Sequence, residues 1–205
     1  MEQSVFAQFF SSGADTLIQT DDFHVALIRQ LPMQPSSESL QQMLFDMQGT
    51  LEAEAMIPLR FAYDRVATSY QQLPCIFLQI STAMEIGNIF SDTEHIHWTQ
   101  NLGLGKLIYH LPTEICEEYL QNHFQGLHLS DIDEETLHTI HTFLDSGLSI
   151  AECARKLYLH RNTLIYRLDK IEQLTGLDIR QFDDAIVCKI ALMISTYLTY
   201  QENNI

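Results

Sequence analysis

Residues 149–176 constrain this chain more than any other stretch. Ser149-Ile150-Ala151-Glu152 has the spacing of a capped helix start, in which the serine hydroxyl accepts from the third amide and the glutamate reaches back. Ile150, Cys153, Ala154 and Leu157 follow at helical spacing. After Tyr158-Leu159, a second run sets Leu164, Leu168, Ile171 and Thr175 on one face, and Gly176 stops it. A short capped helix, a tight turn and a longer helix predict two helices that cross steeply. Such a crossing needs a small residue at the contact, which Ala154 supplies. Leu157, Leu159, Leu164 and Leu168 are placed to lock the second helix onto the first.

Charge then separates this stretch from the rest. The 205 residues carry a formal net charge of −16. Residues 1–150 hold four basic and 20 acidic side chains, whereas residues 151–205 hold seven of each. Between Arg155 and Lys170 there are five basic residues and one acidic, Asp169. An acidic protein of this kind opposes non-specific binding to nucleic acid. A basic run is most often a solvated helix face. Here it coincides with the element that would enter a DNA groove. Turning about 100° per residue from Leu164, Asn162, Tyr166 and Gln173 point away from the core, flanked by Arg161, Thr163, Arg167 and Lys170. Arginine can bind guanine bidentately and asparagine can do the same to adenine. Thr163, Tyr166, Arg167, Lys170 and Lys156 suit phosphates, which position a protein without reading sequence. His160 fits a helix cap or a phosphate contact.

The run LHTIHTFLDSGLSIAECARKLYLHRNTLIYRLDKIEQLTGLDI resembles the C-terminal helix-turn-helix of the PucR/CdaR family of bacterial transcriptional regulators. The specific parts are His160-Arg161-Asn162-Thr163-Leu164, Tyr166-Arg167-Leu168 and Leu174-Thr175-Gly176-Leu177-Asp178. The resemblance implies a transcription factor with His160–Thr175 as recognition helix and double-stranded DNA as partner. It also implies a GGDEF-like α/β region upstream, where Leu73–Gly87 and Leu102–Ile108 look like the end of such a domain. No GGDEF-type tetrad is present, so nucleotide cyclisation is not expected. One recognition helix makes a small interface, and a homodimer on two half-sites is the natural route to affinity. The apolar stripe of the last helix, including Ile190 and Ile194, is a candidate dimer surface or ordinary core.

Elsewhere, the expected organisation is an acidic α+β region over 1–126, with a possible small-molecule effector, and an all-α DNA-binding domain over 127–205. The overall class is α+β, a small α/β N-terminal region followed by an all-α helix-turn-helix domain. The first 20 residues predict a helix around Phe6, Phe9 and Phe10. Asp22–Arg29 and Met56–Tyr63 predict strands, Pro58 marking an edge. Helices are expected from Ser37, from Pro74 to a cap at Gly87, from Pro112 to near Gly126, after Asp133, and over about 184–200.

Other functions leave weaker marks. Gly103-Leu104-Gly105-Lys106-Leu107 departs from the phosphate-loop spacing and lacks the hydroxyl after the lysine. No GxSxG elbow or cysteine-nucleophile signature occurs. The nine histidines show no metal-site spacing. The four cysteines, which form no CxxC pair, suit a reducing compartment. No run of membrane-span length and no secretory leader are expected. The reading is therefore a cytoplasmic, non-enzymatic DNA-binding regulator without cofactor or metal. Its rivals are an interaction module that pairs with a full-length regulator, and a small-molecule sensor.

Overall fold

The computed structural model describes residues 15–31, 35–56, 58–91, 94–123 and 131–203. It is α+β, with short strands towards the N-terminus and helices alone among the described residues after 98. The chain forms two compact units, Met1–Met84 with Glu94–Thr99, and Glu85–Thr93 with Gln100–Ile205.

In the first unit, β1 (Asp15–Gln19) pairs antiparallel with β2 (Val25–Arg29), Asp15 opposite Arg29. The Arg29 guanidinium holds the Asp15 carboxylate at 2.7 Å. Asp21 closes the turn by accepting from the amides of Phe23 and His24. β1 lies where a helix was expected: Thr16 and Ile18 are strand formers with a partner strand one turn away. Phe6, Phe9 and Phe10 lie outside the described residues.

Helix α1 (Ser37–Ala55) starts at Ser36, whose hydroxyl accepts from the amide of Ser39. Met56 ends it in the left-handed region. The predicted strand over 56–63 shrinks to β3 (Phe61–Tyr63), which pairs in parallel with β4 (Ile96–Trp98). Leu59 is engaged instead by α1: its amide donates to Glu52 and its carbonyl accepts from Gln48. A parallel pair needs a crossover, and α2 (Leu73–Phe90) lies within it. Gly87 does not cap α2 as expected but lies buried inside it. Trp98 stacks on Tyr63 across the pair.

The opposite face of that pair is polar. Asp64 accepts from the Thr99 hydroxyl, and both are buried. His97 is 3% exposed, and its Nε2, like Oδ2 of Asp64, has no hydrogen-bond partner among the described residues. Burial first, then the Arg60 cation, hold the His97 imidazole below its usual range; Glu94 opposes this and His95 adds to it. The unfolded chain therefore takes up this proton first, near about pH 6.5. Stability from the neutral ring is fully present above that pH and is lost as pH falls towards the lower folded-state value. Denaturant melts at about pH 7.5 and about pH 5.5 should show weaker stability at the lower pH, and His97→Asn should shrink the difference.

The second unit contains α3 (Gly103–Tyr109), α4 (Thr113–His123), α5 (Glu134–Asp145), α6 (Ile150–Lys156), α7 (Arg161–Thr175) and α8 (Phe182–Asn203). The glycine-rich 103–107 stretch thus lies in a helix, and Gly105 is there for contact. A Cβ on it would stand 2.8 Å from Phe90 Cδ2 and 3.1 Å from Ile86 Cγ2. Gly105→Ala should cost about 1–3 kcal/mol through overpacking, read as a lower melting temperature.

One core cluster joins Ile132, Ile140, Phe143, Cys153, Leu164, Leu168, Ile171, Ile179, Cys188 and Leu192. A second joins Ile89, Ile108, Cys116, Ile194 and Tyr197, with Ile190 packed against it. The two isoleucines considered for a dimer surface are therefore engaged in the protein's own packing. The end of the expected helix near Gly126 lies outside the described residues. One stretch, Tyr70–Phe90, is long and apolar enough to cross a membrane by length and composition, against the expectation of none; 22% of its most apolar window is buried.

Candidate nucleic-acid interface

The interface is built from how α5, α6 and α7 start and stop. Asp133 caps α5 by accepting from the amide and hydroxyl of Thr136. These bonds hold its carboxyl below the usual carboxylate range. The helix closes in a Schellman turn: Gly147 (φ 61°) donates to Leu144, and Leu148 donates to Phe143. Ser149 caps α6 by accepting from Glu152 at 3.3 Å. The Glu152 side chain binds Arg155, and the Ser149 amide donates to Ser146. The hydroxyl half of the expected capping box is thus formed, while the carboxylate serves another partner.

α6 ends in a second Schellman turn, with Leu159 N donating to Ala154 O at 2.9 Å and Tyr158 N to Arg155 O at 3.3 Å. The left-handed position, where glycine is usual, is held by Tyr158 (φ 55°), which is 96% exposed. Sequence reading passed over this residue, because periodicity carries no signal for positive φ in a non-glycine. Its strained backbone carries an aromatic ring into solvent three residues before α7. Tyr158→Gly should relieve about 1–2 kcal/mol of strain, raising the melting temperature. If the ring contacts DNA, the same variant should bind duplex more weakly.

His160 caps α7, its Nδ1 accepting from the Asn162 amide at 3.3 Å. An accepting Nδ1 places the neutral ring's proton on Nε2, available to an outside acceptor. Leu164, Leu168, Ile171 and Thr175 are all at most 2% exposed, and Ala154 is 6% exposed. Arg161, Asn162, Thr163, Tyr166, Lys170 and Gln173 are exposed, Tyr166 by 70%. Lys156 is exposed at the end of α6 and donates to the carbonyl of Asp145.

Arg167 behaves differently from its neighbours. Its guanidinium reaches Glu135 on α5 at 2.6 Å and the buried Thr139 hydroxyl at 3.4 Å. It therefore ties α7 to α5, and a phosphate would have to compete with Glu135 for it. Arg180, which sequence reading also passed over, gathers three carboxylates beside the other end of α7.

Of the four cysteines, Cys75 is exposed. Cys116, Cys153 and Cys188 are buried, and burial pushes the Cys188 thiol up to about 12, which disfavours a nucleophilic thiolate. No group of three or more His, Cys, Asp or Glu suited to a metal occurs among the described residues.

Residues 136–194 match the family of the PucR C-terminal helix-turn-helix domain. The purine catabolism regulatory protein of Bacillus subtilis is 26% identical over 162 residues, covering 78% of this chain and 30% of that protein. The carbohydrate diacid regulator of Escherichia coli is 28% identical over 113 residues, covering 55% of this chain and 29% of that protein. The chain thus spans under a third of the length of these curated relatives. A solved regulator of polyketide synthase expression from Bifidobacterium adolescentis covers 95% of this chain and 75% of that one, at 19% identity and a TM-score of 0.36. That score is too low to bear on the fold.

Proposed function

We propose that this chain is a DNA-binding transcriptional regulator of the PucR/CdaR type, with α7 entering the major groove. The observation that carries this reading is the division of α7 into two faces. One face is fully buried, and the other exposes Asn162, Tyr166, Lys170 and Gln173 within a matched helix-turn-helix domain. Arg161 and Asn162 read base edges. Thr163, Tyr166, Lys170 and Lys156 hold phosphates, and Arg167 does so on exchanging Glu135 for DNA. The His160 Nε2–H and the first amides of α7 donate to a further phosphate.

In this reading residues 127–205 are the DNA-binding module. Residues 1–126 are a GGDEF-like regulatory region that takes a small-molecule effector, and its helices α3 and α4 share a compact unit with the DNA-binding module. The crossover-linked parallel pair β3–β4 supports an α/β unit of that kind. The protein works in the cytoplasm, without catalysis, as a homodimer on two half-sites. With Ile194 in the core, the dimer contact lies elsewhere than the Ile190–Ile194 stripe. Repeated selection from a randomised duplex pool tests the function. Enrichment of a recurring sequence with two spaced half-sites supports it; no enrichment by a folded protein rejects it.

A further inference from the structure

Arg180 lies in the turn between α7 and α8. Its Nη1 donates to Asp169 at 2.6 Å, its Nη2 to Glu172 at 2.6 Å and its Nε to Asp178 at 2.5 Å. Its position is held from both sides. Its own amide also donates to Asp178, and the Asp178 amide donates to Asp184. Asp178 first, then Asp169, raise its affinity for its proton, against burial, so the cation is permanent.

Two of those carboxylates belong to α7. Asp169 lies three residues after Tyr166 and four before Gln173, so it shares their face. Its side chain is 48% exposed and that of Glu172 is 45% exposed. α7 carries three basic residues, Arg161, Arg167 and Lys170, and two acidic ones, Asp169 and Glu172. With Arg167 paired to Glu135, the remaining two cations are balanced by the two carboxylates. Until Arg167 exchanges Glu135 for DNA, the helix that has to approach phosphates carries no net positive charge of its own. Arg180 supplies the missing cation from outside the helix. The Arg180 side chain is only 27% exposed, so its pairs also tie the turn to α7, whereas carboxylates left bare and facing phosphates repel across the Debye length of about 8–10 Å.

We infer that Arg180 is a charge-masking and positioning residue of the DNA-reading helix, offsetting part of the charge of Asp169 and Glu172 so that α7 can meet the phosphate backbone. This rests on the DNA-binding function proposed above. The test uses the full chain and a fluorescein-labelled duplex of mixed sequence, titrated at about 50 mM and about 200 mM salt. Arg180→Gln should weaken binding about tenfold at the lower salt and less at the higher, where screening hides the carboxylates. Arg180→Gln with Asp169→Asn and Glu172→Gln should recover to within about threefold of wild type, although every ion pair to Arg180 on α7 is gone. Asp169→Asn with Glu172→Gln, keeping Arg180, should bind more tightly than wild type, and this holds even if Arg180→Gln fails to fold. Binding by Arg180→Gln equal to wild type, a triple variant as weak as the single one, or no tightening in the double variant would each overturn the inference. If wild type binds no duplex while folded, the DNA-binding function itself fails, and this inference falls with it.

Discussion

Replacing Arg161 and Asn162 together with alanine is expected to leave a folded protein that no longer tells its own site from random duplex. Both side chains are exposed in the first turn of α7, and neither contributes to the core beneath it. Melting should therefore stay close to wild type. Each bidentate base contact is worth about 1–3 kcal/mol of discrimination. The selected sequence should lose roughly 10- to 100-fold in affinity per residue, while random duplex loses far less. Equal losses on both would mean that the two side chains act on phosphates alone.

The second large effect is on stability. Leu168 is 1% exposed and belongs to the cluster that joins α5, α6, α7 and α8. Leu168→Ala removes buried methyl groups and leaves a cavity between packed helices, at a cost of about 2–5 kcal/mol. Domains of this size have stabilities of about 5–15 kcal/mol, so the variant should melt well below wild type. Its DNA binding should return on cooling or with a stabilising osmolyte, unlike that of the Arg161/Asn162 variant. Melting curves and duplex titrations on both variants separate loss of fold from loss of contact.

How far the sequence foretold these features depends on how local their causes are. The helices from Asp133 onwards announce themselves because capping side chains lie within three residues of the amides they bind. Ser149, Asp133 and Gly176 do in the structure what their positions suggest. The buried face of α7 is equally plain, since four residues at helical spacing define it. The first unit is harder to read. β3 and β4 have three residues each and meet across a crossover of more than 30 residues, so neither strand shows a period of its own. Gly87 resembles helix punctuation and Gly105 part of a phosphate loop, yet both lie within helices, Gly105 facing Phe90 and Ile86 too closely for a side chain. On the candidate interface, the exposed polar face was legible, but the roles of the arginines were not. Arg167 turns to α5, and Arg180 collects carboxylates from two turns of α7 and from Asp178. Long side chains choose partners by tertiary placement, which periodicity does not encode.

The most direct test of DNA recognition by α7 is fluorescence-anisotropy titration against a pool of genomic DNA fragments at several salt concentrations. Wild type would be compared with Arg161→Ala/Arg167→Ala. Selective, salt-sensitive binding that disappears in a double variant still folded like wild type, as read by melting, is the predicted result. A folded wild type that binds no fragment even at low salt, or a double variant that binds as well as wild type, would contradict it.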